Sequence, residues 1–296
     1  MVIIMCTVLR NKHCVGRNFD YEETYKEEVI IVPKGKYHNT YSVMGICTGA
    51  VDDYPLLYDG INEHGLFCGG LAFEGNAKYR RYQDDKGNIP SFDFTFQVLA
   101  HNKTVKEARK WLEDVNIWCE PFSDEFPNSD LHWFIADVDG AIIVEQTVDG
   151  LNVYSAETNV MTNNPPYPLQ LGYYKEEKEH IGVCAYKDKE WFTRGMDTDN
   201  LSGGYTSEER FIRASYLLEQ SEKAIKDISH NTINETFHLL SSVEQVYGAT
   251  PVGDKYEYTI YSAVYNLGTK SLWVKTYDKI CPVNFSLSDE LERVQL

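Results

Sequence analysis

The stretch MCTVLRNKHCVGRNFDY, residues 5–21, is the part of the chain from which the fold can be inferred most directly. Two strand-like runs, residues 5–9 and 14–19, flank an Asn11-Lys12 turn, which is the pattern of a β-hairpin. We therefore predict that Cys6 lies on the first strand of a hairpin that opens the fold.

Strand-like and helix-like segments follow this hairpin in blocks rather than in alternation. Capping-box patterns at Thr104–Glu107 and Thr232–Glu235 mark two helix starts. The predicted strands are 29–32, 41–47, 55–60, 66–73, 132–137, 141–147, 151–155, 256–265 and 271–277, and the predicted helices are 92–100, one from 104, 166–177, 208–220 and 232–243.

This block order predicts an α+β fold with antiparallel sheets and helices packed on their outer faces. The run Ile142-Ile143-Val144 is apolar on both faces of its strand, which indicates that two sheets stack on each other. No composition break or low-complexity linker divides the chain. We expect a single domain built as a four-layer αββα sandwich.

Composition and charge exclude several classes of function. The 296 residues carry 45 acidic and 28 basic side chains, a formal net charge of −17. Such a charge repels phosphate backbones and anionic membrane surfaces, so we predict no nucleic-acid or membrane partner. No stretch approaches the roughly 20 apolar residues that cross a bilayer.

The cysteines and the absence of common motifs bear on the predicted location and on cofactors. Seven cysteines without CxxC spacing, behind a start that lacks signal-peptide features, indicate reduced thiols and a cytoplasmic location. The chain has no P-loop, no GxSxG elbow and no HExxH motif. We therefore predict neither a metal nor another cofactor.

Cys6 is the residue with the most promising chemistry, provided that it becomes the N-terminal residue. Its α-amine would then stand beside its own thiol, and an α-amine has an unperturbed pKa of about 7.7–8.0, suitable for a general base. One residue would supply both nucleophile and base. The alternative from the bare sequence is that Cys6 is simply a buried strand residue.

Arg17 and Asp20 are the candidate partners of Cys6 on the returning strand. An arginine near the sulfur would favour the thiolate, and a carboxylate near the amine would orient it. The two side chains are three residues apart, so alternation alone points them to opposite faces. A local bend would be needed to bring both to Cys6.

The chain resembles the choloylglycine hydrolase family, the bile salt hydrolases and penicillin V acylases, from Met5-Cys6-Thr7 to the closing hairpin. That family consists of N-terminal-nucleophile amidases with an αββα sandwich. The matching stretches are Gly16-Arg17-Asn18-Phe19-Asp20, Asn62-Glu63-His64-Gly65-Leu66, Leu131-His132-Trp133, Val144-Glu145-Gln146, Met161-Thr162-Asn163-Asn164-Pro165, Glu209-Arg210-Phe211-Ile212-Arg213 and Tyr258-Thr259-Ile260-Tyr261-Ser262.

The resemblance implies a role for each site residue. Cys6 would be the nucleophile, with Arg17 and Asp20 beside it. The amide of Asn163 would donate to the oxyanion, and Arg210 would hold the polar network around the thiol. Without the resemblance, Asn163 could be a turn residue and Arg210 a charge on a helix surface.

The chain departs from the family pattern at three places. Ala72 stands where bile salt hydrolases carry asparagine and penicillin acylases carry tyrosine. In the family this position lies beside the oxyanion, so the difference affects the choice of substrate. The loop 202–205 differs before the arginine-bearing helix. Residues 1–5 precede Cys6, as a leader or a mis-assigned start, and must be absent for its amine to be free, which leaves 6–296 as the amidase domain.

The resemblance implies deconjugation of glycine- or taurine-conjugated bile salts by a homotetramer. A second hypothesis is an acylase of the same chemistry that acts on penicillin V, an N-acyl homoserine lactone or another N-acyl amino acid. A third, of another class, is a non-catalytic binding homologue in which Cys6 stays blocked.

Overall fold

The computed structural model describes residues 5–51, 54–183, 194–224 and 231–296. Residues 1–4 of the predicted leader therefore lie outside the described residues. The strands are β1 Met5–Asn11, β2 Cys14–Tyr21, β3 Glu28–Val32, β4 Val43–Cys47, β5 Leu57–Asn62, β6 Phe67–Ala72, β7 Gly87–Pro90, β8 Val115–Trp118, β9 Leu131–Ala136, β10 Ala141–Thr147, β11 Gly150–Ser155, β12 Val160–Met161, β13 Thr250–Val252, β14 Lys255–Asn266, β15 Ser271–Thr276, β16 Val283–Ser286 and β17 Glu292–Gln295. The helices are α1 Phe94–His101, α2 Val105–Trp111, α3 Tyr167–Glu177, α4 Ser207–Ala224 and α5 Thr232–Ser241, with 3₁₀ turns at Leu112–Asp114 and Met196–Thr198.

The opening hairpin forms as predicted and lies inside the first sheet. Its turn falls on Lys12 and His13, one residue later than the Asn11-Lys12 turn inferred from the sequence, and Lys12 adopts a φ of 56°. Strand β2 is buried along its whole length because it lies between β1 and β14.

Two antiparallel sheets make up the centre of the described part of the chain. The first has the order β12-β1-β2-β14-β15-β16, with β13 paired to β14. The second has the order β11-β10-β9-β6-β5-β4-β3-β17. A separate pair, β7 and β8, is parallel. The short strands β7, β8, β12, β13, β16 and β17 were not predicted, since runs of two to four residues carry too little periodicity.

The helices cover the outer faces of the two stacked sheets. Helices α4 and α5 pack on β1, β2 and β14, and α3 packs on α4. On the other side α1 packs on β4, β5 and β6. Ala108 of α2 belongs to the buried apolar cluster that α1 forms with these strands. Contact between β1 and β6 joins the sheets. The predicted αββα sandwich is confirmed.

The two predicted helix starts differ in how they are capped. The Thr104 side chain accepts from the backbone N–H of Glu107, as the capping box requires. At α5 the prediction was wrong by one residue, because Asn231 is the cap and accepts from the N–H groups of Ile233 and Asn234. Asparagine is the stronger capping residue of the two candidates, Asn231 and Thr232, at that position.

Strands β4 and β5 pair Gly45 with Gly60 and leave no room for a side chain at Gly45. A Cβ on Gly45 would lie against the carbonyl oxygen of Asp59 and 3.0 Å from the Cα of Gly60. By contrast, a Cβ on Gly172, exposed on α3, would meet nothing within 4 Å.

We predict that Gly45→Ala destabilises the fold by about 1–3 kcal/mol, because the backbone of β5 must shift to admit a methyl group. The matched control Gly172→Ala should stabilise the fold by about 0.5–1 kcal/mol, since alanine leaves the unfolded chain less backbone freedom at this helix position. Urea unfolding of the two variants and the wild type measures both changes. Equal stability of the Gly45→Ala variant and the wild type would contradict the close approach.

Candidate active site

Cys6 lies on β1, on the face that is turned toward the second sheet. It is opposite Phe19 in the hairpin and has no exposed surface. The guanidinium Nη2 of Arg17 donates to the Cys6 Sγ at 3.5 Å. The strand needs no bend for this contact, because Arg17 and Phe19 are two residues apart and share a face.

Groups of the second sheet hold Arg17 in place. Its Nη1 donates to Asp59 Oδ2 at 2.7 Å and to the carbonyl of Tyr58 at 2.6 Å. Its Nη2 also donates to the carbonyl of Gly70 at 2.7 Å. The hydroxyls of Tyr261 and Tyr265 donate to the Asp59 carboxylate from the other side.

Asp20 turns to the opposite face, as the alternation predicted. Its carboxylate accepts from the hydroxyl of Thr259 at 2.6 Å and from Gln245 Nε2 at 3.1 Å. Burial raises the pKa of this carboxyl to about 6, while the charge of Arg210 opposes the rise. Asp20 therefore acts on Cys6 through its charge and its backbone rather than through a side-chain contact.

Asn163 reaches Cys6 because β12 pairs with β1. The register places Met161 beside Val8, which carries Asn163 to the level of Cys6. The backbone N–H of Cys6 donates to Asn163 Oδ1 at 2.7 Å, and Asn163 Nδ2 donates to the carbonyl of Ala72 at 3.0 Å. Asn163 is thus hydrogen-bonded to the site and is more than a turn residue before Pro165.

Arg210 enters the site from α4 and is completely buried, so it is not a helix-surface charge. Its Nη1 donates to the carbonyl of Cys6 and to the hydroxyl of Thr7, both at 2.6 Å. Its Nη2 donates to Asn163 Oδ1 at 2.9 Å. The guanidinium therefore fixes the backbone of Cys6 and the amide of Asn163 relative to each other.

The two remaining departures from the family pattern lie at the edge of this network. Ala72 is 6% exposed and contributes its carbonyl to Asn163. The loop 202–205 is bound by α4, since Arg210 Nε donates to the carbonyl of Tyr205 at 3.0 Å and Arg213 Nη1 to that of Ser202 at 2.7 Å. The altered loop still contacts both arginines.

The electrostatics of the site favour a neutral thiol while Met5 is attached. Burial raises the pKa of the Cys6 thiol, and the nearby Arg17 opposes this by attracting the thiolate. A base is therefore needed to generate the nucleophile. Among the described residues, no group of three or more His, Cys, Asp or Glu side chains is placed to hold a metal ion.

Sequence reasoning missed several residues that support this network. Asp59 comes from β5 of the second sheet and Tyr261 and Tyr265 from β14 of the first, and no spacing in the sequence links them to Arg17. Glu257 is also unpredicted, and it accepts from the backbone N–H of Met5 at 2.7 Å.

Across the described ranges, no helix is long and apolar enough to cross a membrane.

The stacked pair of antiparallel sheets, with a buried cysteine on the first strand, is the arrangement of the N-terminal-nucleophile hydrolase fold. The chain belongs to the choloylglycine hydrolase family: the model for linear amide C–N hydrolases of that family matches residues 3–291. It is therefore an enzyme of the amidase class.

Relatives and solved structures agree with this assignment. The bile salt hydrolase/transferase of Lactiplantibacillus plantarum is 35% identical over 97% of this chain and 93% of its own length. A mutant of the conjugated bile acid hydrolase of Clostridium perfringens superimposes with a TM-score of 0.89 at 29% identity, over 99% of this chain and 97% of that one. Penicillin V acylase from Agrobacterium tumefaciens shares the fold, with a TM-score of 0.70 at 20% identity over 95% and 84% of the two chains.

Glu257 yields a prediction about stability and pH. Burial, reinforced by the charge of Asp20, raises the pKa of this carboxyl from its ordinary 4.5 to about 8. Between these two values the folded chain holds a proton that the unfolded chain has released, so Glu257 makes stability fall as pH rises.

We expect Glu257→Gln to flatten the decline of stability between pH 4.5 and about 8. The control Glu176→Gln, at an exposed position on α3, should leave the slope unchanged. Free energies of unfolding at several pH values give the comparison. A Glu257→Gln slope that matches the wild type would rule out the raised pKa.

Proposed function

We propose that this enzyme hydrolyses the amide bond of glycine- or taurine-conjugated bile salts, with Cys6 as both nucleophile and base. The observation that carries the proposal is the set of contacts on one residue. The nitrogen of Cys6 donates to Asn163, its sulfur accepts from Arg17 and its carbonyl accepts from Arg210. Every polar atom of the proposed nucleophile is therefore oriented.

In the first step, the α-amine of Cys6 takes the proton of the thiol, and the thiolate attacks the amide carbonyl. Arg17, held by Asp59, stabilises the negative sulfur at this point. We assign to Asn163 Nδ2 a hydrogen bond to the oxyanion that forms. Such a preorganised donor typically contributes a factor of about 10²–10³ in rate.

In the second step, the C–N bond breaks and the Cys6 ammonium returns its proton to the leaving amine, glycine or taurine. The acyl group remains on the sulfur as a thioester. Water, deprotonated by the same amine, then releases the free acid and restores the thiol. Besides burial, the charge of Asp20 raises the pKa of the Cys6 thiol, and we assign to this carboxylate the stabilisation of the Cys6 ammonium that forms in both steps.

This mechanism requires that the active form begin at Cys6. While Met5 is attached, the nitrogen of Cys6 is an amide and cannot accept a proton. We therefore propose that residues 1–5 are absent from the active enzyme and that 6–296 is the catalytic domain. The buried position of Cys6 with Met5 in place is consistent with an inactive precursor.

The predictions of a cytoplasmic location, a homotetramer and the absence of any cofactor stay predictions. We propose them with the function, because the family resemblance supports the assembly and the mechanism uses no metal. The six described cysteines, all unpaired, are compatible with a reducing compartment; Cys184 lies outside the described residues. Light scattering of the purified enzyme measures its oligomeric state.

We predict that Cys6→Ala abolishes bile salt hydrolysis and leaves the fold intact, because it removes the nucleophile and little volume. The matched control Cys14→Ala changes another fully buried cysteine of the same hairpin and should keep wild-type kcat. Release of glycine from glycocholate and of taurine from taurocholate, together with the intact mass of each protein, is the measurement.

The same assay separates the competing functions. Turnover of penicillin V or an acyl homoserine lactone, without bile salt turnover, would support the acylase hypothesis. No turnover of any amide, either by the chain as purified or by a chain that begins at Cys6, would support the binding homologue. Full activity of the Cys6→Ala variant would eliminate Cys6 as nucleophile.

Ala72 should tune substrate choice rather than sustain catalysis. Its carbonyl accepts from Asn163, but its methyl group offers the substrate no hydrogen bond. Ala72→Asn should shift kcat/KM between bile salts and other amides by a several-fold factor, since one added hydrogen bond contributes about 0.5–1.5 kcal/mol. A uniform rise of several orders of magnitude for all substrates would instead favour the binding-homologue hypothesis.

A further inference from the structure

Two motifs of the sequence, Leu131-His132-Trp133 and Val144-Glu145-Gln146, have no part in the proposed mechanism, yet the structure joins them. His132 on β9 and Glu145 on β10 are both fully buried in the second sheet. The His132 Nδ1 lies 3.2 Å from Glu145 Oε1. A buried pair of this kind is costly to desolvate, which suggests that it serves a purpose beyond stability.

A second hydrogen bond fixes the orientation of the His132 ring. His132 Nε2 lies 2.8 Å from the carbonyl oxygen of Thr162. Because a carbonyl can only accept, Nε2 carries a proton and donates it. The other ring nitrogen, Nδ1, faces Glu145 Oε1, so the imidazole joins the Thr162 carbonyl to the Glu145 carboxylate.

The pair binds both ends of the segment that carries Asn163. At one end, His132 donates to the carbonyl of Thr162. At the other end, the same oxygen of Glu145 accepts from the backbone N–H of Tyr167 at 2.9 Å. Glu145 is thus hydrogen-bonded directly to Tyr167, the last residue of the segment 162–167, and through the His132 imidazole to Thr162, the first.

The same imidazole also supports the other neighbour of Asn163. The His132 ring stacks on Phe73, with 4.4 Å between ring centroids and 7° between planes. Phe73 follows Ala72, whose carbonyl accepts from Asn163 Nδ2. His132 therefore contacts both chain segments that flank the Asn163 amide, the segment of Thr162 and the segment of Phe73.

We propose that His132 and Glu145 are positioning residues that set the Asn163 side chain at the distance from Cys6 required for oxyanion binding. This inference rests on the proposed function, in which Asn163 donates to the oxyanion. The pair would act only through Asn163. Its loss should therefore lower kcat for every amide and leave KM nearly unchanged.

Two substitutions of His132 separate its two hydrogen bonds. In His132→Asn, the side-chain amide reaches the place of Nδ1, so the bond to Glu145 is kept and the Thr162 carbonyl is left without its donor. In His132→Gln, the amide nitrogen reaches the place of Nε2 and keeps the bond to Thr162. We expect kcat to fall about ten- to a hundredfold in His132→Asn, since small misplacements of catalytic groups have such effects. His132→Gln should stay within about threefold of the wild type, because it keeps the decisive hydrogen bond.

Combination with Asn163→Ala tests whether the pair acts through that residue. A positioning role predicts that His132→Asn costs nothing more once Asn163 is replaced by alanine. A purely structural role predicts that the two losses multiply. Glu145→Gln serves as a second, isosteric probe should His132→Asn fail to fold, with the same expected non-additivity. Melting curves establish which variants are folded.

A spectroscopic readout keeps this inference separate from the proposed function. In protein labelled with [¹⁵N]asparagine, the Asn163 side-chain amide is assigned by its loss in Asn163→Ala. Its resonances should shift in folded His132→Asn and stay in place in His132→Gln, whether or not the substrate is correct. Unmoved resonances in folded His132→Asn, or multiplying losses of kcat, would overturn the positioning role. Wild-type kcat in Asn163→Ala would instead contradict the assigned oxyanion donor, and the resonances would still decide the positioning role.

Discussion

The site depends on one buried arginine that bridges the two sheets. Arg17 belongs to the first sheet and contacts Cys6 there, while Asp59 and the carbonyls of Tyr58 and Gly70 hold it from the second sheet. Removing a guanidinium from water costs several kcal/mol, and Asp59 offsets that cost. The sheets must therefore stack in one register for the charge to be satisfied, and that register places the sulfur of Cys6 beside it.

A second buried arginine completes the arrangement from the helical side. Arg210 binds the carbonyl of Cys6 and the amide of Asn163, so α4 is tied to β1 and to the end of β12. The nucleophile is thus held between two cations, one on each face of the first sheet. In a chain with a net charge of −17, both buried arginines lie directly beside the nucleophile.

Much of this could be predicted from the sequence, for reasons that differ between residues. The hairpin around Cys6 follows from two strand-like runs on either side of a turn, and the opposite orientations of Arg17 and Asp20 follow from strand alternation. The contact of Asn163 with Cys6 could not be predicted from the residues, because it depends on strand β12. That strand has two residues and therefore no periodicity of its own. Asp59 and the His132–Glu145 pair lie on strands whose pairing the sequence does not specify, so resemblance could mark the motifs but not the contacts.

The central claim is that Cys6 forms a covalent acyl intermediate with its own amine free, and a single measurement addresses it directly. The enzyme is mixed with glycocholate, quenched in acid within its first turnovers and digested for peptide mass spectrometry. The account predicts a choloyl thioester on a peptide whose first residue is Cys6. An adduct on another residue, or turnover by a chain in which Met5 remains bonded to Cys6, would contradict it.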